Sequence, residues 1–336
     1  MIRIRLGVPL LVFVISALAQ VQTTRVSPKV FTPYGTFERV DEGWRCNSVG
    51  NSPFVALRDL QAGDIVVSIN GESLVRATPV GFLQFLRLTE FDIAENTEIL
   101  RQGQRLKLGS SSGKPQIIAS QNSFVVLHSS YPSIRRGDVL SALNQTSFKA
   151  MMATVTNPLT SVVNIGVSPG KVLHITRNGK LQDVSVGEPA VVRLIQFELD
   201  PAQEPPDAEI QGLNRKDVQL FGLRGRWTLL HFWATWCAPC VRHMPDLREL
   251  ATRKDLFVAA IGFADTRDRL QTAASSERLL NVFAPSPELQ RPLAVTGIPF
   301  GALLDPNGHA VLVVAGDMSP EQFKTVIADY VGRSAP

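Results

Sequence analysis

The last third of the chain alternates short apolar runs with segments in which apolar residues recur every three or four positions. The largely apolar run Trp227–Trp233 is typical of a strand that is buried on both faces of a sheet. The pattern predicts strands at 228–234, 257–262, 301–305 and 310–315, and helices at 239–253, 267–279 and 319–332. A helix between the first two strands indicates a parallel crossover, and Asn307-Gly308 between the last two indicates an antiparallel hairpin. These features predict an α/β domain with a mixed sheet.

The region before residue 200 has a different pattern, and that pattern occurs twice. Each copy contains a Gly-Asp pair, a short β-branched run and an Asn-led turn, at 57–71 and again at 134–145. Such a run between tight turns indicates a strand. Each copy closes with a hairpin signal, at 98–108 and at 172–181. The fold class that we predict is therefore multidomain, with two small β-rich domains followed by the α/β domain.

The N-terminus has the pattern of an export signal. Arg3 and Arg5 precede an apolar run over 6–19 that ends in Ala17-Leu18-Ala19, which predicts a secretory signal cleaved before Gln20. The run is short for a bilayer span, which needs about 20 residues. An uncleaved N-terminal anchor stays open as the alternative. Either way, we expect a periplasmic or otherwise extracytoplasmic protein, which is secreted by the signal peptide or tethered by the uncleaved anchor.

Composition shifts divide the rest of the chain. The sequence at 109–115 is rich in Gly and Ser, which is typical of a flexible linker, whereas the prolines of 201–207 favour a stiffer spacer that would hold the last domain away from the β-rich domains. The predicted organisation is a signal peptide or anchor (1–19), a leader (20–38), a first β-rich domain (39–110), a linker (111–121), a second β-rich domain (122–190), a linker (191–207) and the α/β domain (208–336).

Charge and cysteine content exclude some classes of function. The formal net charge is +4, and Lys and Arg are scattered among acidic residues without a basic block, so we expect no nucleic-acid partner. Three cysteines are too few for a disulfide-stapled scaffold. Cys46 has no cysteine near it in the sequence, and we expect it to be a buried thiol.

The remaining cysteines, Cys237 and Cys240, are two residues apart and directly follow the predicted strand 228–234. The end of such a strand delivers them to the beginning of the next helix, where unpaired N–H groups and the helix dipole favour a thiolate. This placement predicts thiol–disulfide exchange, in which Cys237 attacks and Cys240 resolves the mixed disulfide. A structural zinc site lacks enough soft ligands. A Cu(I) site made of Cys237, Cys240 and His243 stays open as an alternative.

Several separated motifs resemble those of thioredoxin-fold proteins, specifically the TlpA-like branch of extracytoplasmic thiol–disulfide oxidoreductases. The matching stretches are 223–226, Trp236-Cys237-Ala238-Pro239-Cys240, Pro245, Gly297-Ile298-Pro299 and 304–308. The resemblance implies a redox-active Cys237–Cys240 disulfide, with Trp236 beside it. It also implies that Pro245 bends the active-site helix and that Pro299 is the cis-proline across from the cysteines. The backbone of Ile298 would then pair with an extended client segment.

Two histidines occupy positions where relatives carry other polar residues. His231 lies on the strand before the cysteines, and His243 lies three residues after Cys240. A charged imidazole there would stabilise a thiolate, and a neutral one could accept a proton from Cys240. The structural alternatives are a neutral strand residue with its N–H on a backbone carbonyl for His231, and a solvated helix residue for His243.

The two β-rich domains resemble PDZ domains over about 40–110 and 122–190, through their Gly-Asp and Asn-Gly or Asn-Gln motifs. PDZ-like folds bind extended segments by adding a strand to a sheet edge. The alternative is a pair of spacers.

The leading hypothesis is an exported protein-disulfide reductase that needs no cofactor. Its partners would be an exported client protein with a disulfide, a membrane thiol donor, and a peptide or protein ligand of the PDZ-like domains. The Ala-Pro dipeptide between the cysteines lacks the histidine of strongly oxidising pairs, so we expect a potential near that of thioredoxin, about −270 mV. A copper-binding metallochaperone and a binding scaffold are the alternative functions.

Overall fold

The fold is described from a computed structural model in which residues 26–50, 59–90, 97–108, 123–153, 162–177, 179–197, 200–279 and 281–332 are placed. The predicted signal peptide or anchor (1–19) and the predicted linker 111–121 lie outside the described residues. None of the helices within these ranges combines the length and the apolarity needed to cross a membrane.

The first β-rich unit comprises short strands, a tight two-residue hairpin and one helix whose residues 79–86 are all buried. Its elements are β1 (Lys29–Thr32), β2 (Gly35–Val40), β3 (Gly43–Val49), β4 (Ile65–Ile69), β5 (Glu72–Ser73), α1 (Pro79–Glu90), β6 (Thr97–Arg101) and β7 (Gln104–Leu108). Gln102 and Gly103 form the hairpin turn between β6 and β7, and both have positive φ. The hairpin at 98–108 is confirmed.

The second β-rich unit has a sheet of its own, with strand order β11-β14-β8-β9-β12-β13. Its elements are β8 (Ser123–Ser129), β9 (Val139–Leu143), β10 (Thr146–Ser147), α2 (Phe148–Ala153), β11 (Val162–Val167), β12 (Val172–Arg177), β13 (Lys180–Ser185) and β14 (Ala190–Phe197). Strand β14 lies between β8 and β11, so residues 191–197 are part of a sheet and the predicted linker 191–207 is wrong there. Alternating buried valines and leucines in β14 cover the core of this unit.

One ion pair occurs in the same way in both β-rich units. In the first, the Nε and Nη2 groups of Arg101 donate to the two carboxylate oxygens of Asp64, each at 2.8 Å. In the second, Arg177 donates to Asp138 at 2.7 and 2.6 Å. Each aspartate belongs to the Gly-Asp pair of its repeat, and each arginine ends the strand before the hairpin turn. The internal repeat predicted from the sequence is therefore present in the fold.

The C-terminal α/β domain contains the remaining elements. They are β15 (Glu209–Ile210), β16 (Val218–Gln219), β17 (Trp227–Trp233), α3 (Ala238–Arg242), α4 (Met244–Leu250), β18 (Leu256–Gly262), α5 (Arg267–Ser276), β19 (Val282–Phe283), α6 (Pro287–Gln290), β20 (Phe300–Leu304), β21 (Ala310–Ala315) and α7 (Pro320–Gly332). Strand β17 is parallel to β18 and antiparallel to β20, and β20 forms a hairpin with β21. The mixed sheet predicted from the apolar runs is confirmed.

One sheet continues from the α/β domain into the first β-rich unit, with strand order β19-β18-β17-β20-β21-β1-β2-β3-β4-β6-β7. Strand β1 is parallel to β21 on one side, where Val30 faces Val313, and antiparallel to β2 on the other, where Val30 faces Phe37. The prediction of an irregular leader over 20–38 is therefore wrong from Lys29 onward. Strand β1 thus has a local hairpin partner in β2 and a partner far along the sequence in β21.

The first β-rich unit and the α/β domain also share a hydrophobic core. A single cluster of buried side chains includes Phe37, Trp44 and Phe82 from the first unit together with Phe232 and Phe300 from the α/β domain. The Trp44 and Phe82 rings stack with centroids 4.4 Å apart. The prediction that 201–207 holds the two domains apart is wrong, because apolar side chains from both pack into one core.

Candidate active site

The central strand of the sheet positions the cysteine pair. Every residue of β17 is buried, and the strand ends at the sheet edge where α3 begins. Cys237 is the N-cap of α3, and Pro239 lies in the first helical turn, where its missing N–H leaves no hydrogen bond unmade. The two cysteines form a disulfide with their Cα atoms 5.2 Å apart.

The two sulfur atoms differ in access to solvent. Cys237 is 5 % exposed, whereas Cys240 is 0 % exposed. The backbone N–H of Cys240 points at the Cys237 Sγ, with the nitrogen and sulfur 3.2 Å apart. An N–H aimed at this sulfur stabilises negative charge on it when the disulfide is reduced.

The helix after the cysteines is divided, as the resemblance implied. Helix α3 ends at Arg242, α4 begins at Met244, and Pro245 lies in the first turn of α4. Proline has no N–H to donate to the carbonyl one turn earlier, so a continuous helix over the predicted range 239–253 is interrupted here. The interruption leaves His243 between the two helices.

Trp236 lies directly before the cysteines and is 57 % exposed, which is unusual for a large aromatic side chain. Its Nε1–H donates to the carbonyl oxygen of Ala264 at 3.1 Å. Ala264 follows β18 and has a φ of 49°, in the left-handed region. The indole therefore presents an apolar surface to solvent next to the disulfide.

Asp265 also fixes the turn before the cysteines, although sequence reasoning did not identify it. Its Oδ2 accepts hydrogen bonds from the Thr235 N–H at 2.7 Å and the Thr235 hydroxyl at 2.6 Å. The Thr266 N–H binds the other carboxylate oxygen at 2.8 Å. The sequence could have indicated this residue. Asp265 follows β18, which is parallel to β17, and the carboxyl ends of parallel strands meet at one edge of a sheet.

Pro299 lies in a loop that directly precedes β20. The Ile298–Pro299 peptide bond is cis. The Pro299 carbonyl accepts a hydrogen bond from the Gly316 N–H at 3.0 Å. The Ile298 side chain packs against the apolar cluster that contains both cysteines.

His231 is fully buried on β17, and neither of its ring nitrogens has a hydrogen-bond partner among the described residues. Burial lowers the pKa of His231 to about 3, with a smaller contribution from the charge of nearby His243. The expectation of a neutral ring agrees with this environment. The expectation that its N–H binds a backbone carbonyl is wrong, because aromatic rings surround it: the centroid of Phe323 lies 5.5 Å away and that of His243 5.7 Å away.

His243 is buried, so the expectation of a solvated helix residue is wrong. Its Nε2 lies 2.8 Å from the Met318 carbonyl oxygen, and its ring stacks on Phe323 with centroids 4.9 Å apart. Since a carbonyl oxygen can only accept, Nε2 carries the proton of the neutral ring and Nδ1 carries a lone pair. Helix α7, which supplies Phe323, covers this position from the far end of the chain.

The copper alternative finds no support in this geometry. Among the described residues, no group of three or more His, Cys, Asp or Glu side chains is arranged to hold a metal ion. The Nε2 atom of His243 is already bound to Met318, which leaves only the buried Nδ1 atom for a ligand.

Cys46 is a buried thiol, as expected from the sequence, and lies on β3 far from the disulfide in the strand order. Its Sγ–H donates to the Ser48 carbonyl at 3.3 Å. Burial, with a smaller contribution from Asp64, raises the pKa of this thiol to about 11. Cys46 is therefore protonated and unreactive near neutral pH.

Comparison with known proteins identifies the C-terminal domain. Residues 201–312 match the AhpC/TSA family. The thiol–disulfide oxidoreductase ResA of Bacillus thuringiensis subsp. konkukian is 24 % identical over 143 residues, which cover 41 % of this chain and 80 % of ResA. The thioredoxin-like protein YneN of Bacillus subtilis is 30 % identical over 99 residues, which cover 29 % of this chain and 54 % of YneN.

Solved structures align with a little over a third of the chain. A thiol:disulfide interchange protein of the thioredoxin family from Chlorobium tepidum aligns with a TM-score of 0.34 and 21 % identity, over 38 % of this chain and 98 % of its own. StoA from Bacillus subtilis aligns with a TM-score of 0.32 and 20 % identity, over 37 % of this chain and 97 % of its own. The family match lies largely within the predicted α/β domain, and the names of these curated relatives, a thiol–disulfide oxidoreductase and a thioredoxin-like protein, agree with the class of enzyme predicted from the cysteine pair.

Proposed function

We propose that this thiol–disulfide oxidoreductase is an exported reductase, and that Cys237 attacks a disulfide in a specific client protein. The observation that carries the proposal is the backbone N–H of Cys240, which points at the Cys237 Sγ. Cys237 also keeps a small exposed fraction, 5 % against 0 % for Cys240. An attacking thiolate needs both access and stabilisation, whereas a resolving cysteine has to reach only the Cys237 sulfur.

The reaction transfers two electrons from the protein to the client. The Cys237 thiolate forms a bond to one sulfur of the client disulfide, and the other client sulfur leaves as a thiolate. Cys240, as a thiolate, then attacks the Cys237 sulfur, which closes the Cys237–Cys240 disulfide and releases the client as a dithiol. A membrane thiol donor returns the protein to the dithiol form in the same two steps, with the roles of thiol and disulfide exchanged.

The two histidines have different roles in this proposal. His231 cannot stabilise a thiolate by its charge, because a pKa of about 3 keeps the ring neutral at physiological pH. His243 is the better candidate to accept the proton of Cys240, since its Nδ1 has a lone pair and no partner among the described residues. We assign His231 to packing and His243 to proton transfer.

Client recognition involves the region around the disulfide. The exposed face of Trp236 offers an apolar contact to a client, and the backbone of Ile298 before Pro299 would pair with an extended client segment. The direction of exchange follows from the Ala-Pro dipeptide between the cysteines, which supports a potential near about −270 mV.

We assign recruitment of the client or the membrane donor to the second β-rich unit, by PDZ-like strand addition. In the first unit, β1 pairs with β21, so that edge is used within the chain, and β7 is left at the end of the sheet with a partner on one side among the described residues. In the second unit, β11 and β13 each pair on one side only within the described residues. A protein that acts mainly as a binding scaffold would use the same two edges, but its function would not need the cysteines.

Cysteine substitutions test the proposal. Cys237→Ser should abolish reduction of insulin disulfides, and Cys240→Ser should accumulate a mixed disulfide with the client that dithiothreitol releases. Cys46→Ser, which changes the remaining cysteine, should do neither. Full activity of the Cys237→Ser protein would reject the reductase. A measured potential well above −200 mV, in the range of PDI and DsbA, about −180 to −120 mV, would instead indicate an oxidase.

A further inference from the structure

Helix α1 of the first β-rich unit contacts the α/β domain through a buried glutamine. Gln84 is only 4 % exposed. Its Nε2 donates to the Pro292 carbonyl at 2.9 Å, and its Oε1 accepts from the Asp200 N–H at 3.0 Å. Both ends of the amide are therefore used to join three separate parts of the chain.

The beginning of α1 fixes the segment that contains Asp200. The Thr78 N–H donates to the Pro201 carbonyl at 2.8 Å. A Cβ atom on Gly81 would lie 2.2 Å from the same oxygen, so the helix approaches this backbone as closely as glycine allows. These two contacts with the Pro201 carbonyl therefore fix the beginning of the helix that carries Gln84.

Pro292 begins the segment that leads to Pro299. After α6, residues 291–298 form an irregular loop. Leu293 and Val295 from this loop are buried in the same core cluster as Val80 and Leu83 of α1. Pro292 is half-buried beside these residues, and its carbonyl would lose this side-chain donor if Gln84 were replaced by an apolar residue.

The first unit also reaches the other end of this loop. The turn between β1 and β2 lies against Gly316, where an added Cβ would be 2.8 Å from the Pro33 Cγ. Gly316 has a φ of 110° and donates its N–H to the Pro299 carbonyl at 3.0 Å. The first unit thus supports the loop at Pro292 directly and at Pro299 through Gly316.

We propose that Gln84 is a positioning residue for client binding, and that the first β-rich unit is part of the catalytic module. Gln84 holds the 291–298 loop in the conformation that presents the Ile298 backbone to an extended client segment. The inference rests on the proposed function, since it concerns the client site of the same reaction. Small disulfides, which need no backbone pairing, do not depend on Gln84.

The test compares Gln84→Met, which keeps the side-chain length and loses both hydrogen bonds, with wild-type protein. KM for insulin should rise about two- to tenfold, the range expected for loss of the one hydrogen bond that reaches the 291–298 loop, from Gln84 to the Pro292 carbonyl. The value of kcat should not change. The rate with hydroxyethyl disulfide should not change. Gln104→Ala, on the exposed strand β7 of the same unit, is the matched control and should behave as wild type.

Amide hydrogen exchange gives a second readout that does not depend on turnover. Peptides covering 291–299 should exchange faster in Gln84→Met, whereas peptides from β17 and β18 should not. A Gln84→Glu variant keeps the acceptor for Asp200 but loses the donor to Pro292, and should show the same increase in exchange over 291–299.

The outcomes separate the two proposals. If wild-type protein is active and Gln84→Met keeps both its KM and its protection over 291–299, the positioning role is wrong and the reductase stands. A rise in KM that is matched by slower reaction with hydroxyethyl disulfide would also overturn it, since this indicates general damage. If wild-type protein reduces neither substrate, the reductase itself is wrong.

Discussion

Thr235 and Asp265 are joined by two hydrogen bonds, one from the Thr235 N–H at 2.7 Å and one from its hydroxyl at 2.6 Å. The pair connects the turn before the cysteines to the loop after β18. Because Cys237 is two residues beyond Thr235, this connection fixes where the helix carrying the disulfide begins.

Substitution of Asp265 should slow the reaction of Cys237. Hydrogen bonds to a charged acceptor contribute about 1.5–3 kcal/mol each, so Asp265→Ala should lower the rate of insulin reduction by about tenfold or more. Asp265→Asn, which keeps one acceptor oxygen, should lie between Ala and wild type. The neighbouring Trp236 should report the change as altered fluorescence. Asp268→Asn on the exposed face of α5 is the control, and an equal loss in that variant would contradict the assignment.

His231 should make the stability of the protein depend on pH. Its pKa is 6.5 ordinarily and about 3 when it is buried here. Between these values the unfolded chain binds the proton and the folded protein does not, so the free energy of unfolding falls as the pH is lowered through this window. The slope from this one group approaches about 1.4 kcal/mol per pH unit.

Urea unfolding at pH 7, 6 and 5 measures this slope. The slope should shrink in His231→Leu, which fills the same apolar site without a titrating group. His128→Gln, at an exposed position on β8, should leave the slope as in wild type. An unchanged slope in His231→Leu would show that His231 is not the group responsible.

The sequence predicted the strands whose apolar runs can be recognised locally. It did not predict contacts between segments that are far apart in the sequence. The apolar runs of β17 and β21 were sufficient to place both strands. By contrast, β1 has only four residues, and its pairing with β21, which places it in the sheet of the α/β domain, joins segments that are far apart in the sequence. His243 is covered by α7 through its contact with Phe323, and α7 is far from His243 in the sequence. Asp265 acts through Thr235, a contact that requires the parallel pairing of β17 and β18.

The repeated ion pairs should be equally important for stability. Asp138 is fully buried, so Arg177→Met leaves a carboxylate without its partner, at a cost of about 3–5 kcal/mol. Arg101→Met should have the same effect through Asp64 in the first unit. Urea unfolding measures both, and the double variant Asp138→Asn/Arg177→Met should recover part of the loss. Arg193→Met, on an exposed face of β14, is the control and should be close to neutral.

Cys46 should be replaceable without loss of activity. The Cys46 N–H donates to the Asp64 carbonyl, and the Val126 N–H donates in the same way to the Asp138 carbonyl, so valine occupies the corresponding position of the second unit. Valine is larger than cysteine by about one methyl group, so Cys46→Val should lower the free energy of unfolding by at most about 1–3 kcal/mol, the usual cost of overpacking, and should leave the activity unchanged.

Native alkylation tests the same residue in wild-type protein. With a pKa of about 11 and no exposed surface, Cys46 should resist iodoacetamide at pH 8 while reduced Cys237 reacts. Peptide mass spectrometry after brief labelling distinguishes the two sites. Rapid labelling of Cys46 would show that β3 opens readily, which would contradict its burial in the core shared by the first β-rich unit and the α/β domain.

The pairing of β1 with β21 bears on the order of folding. The two strands lie at Lys29–Thr32 and Ala310–Ala315, so most of the sequence separates them. A contact of such long range closes late, because bringing distant segments together costs conformational entropy before the contact stabilises the fold. The redox domain therefore completes this side of its sheet late in folding, when β1 docks against β21.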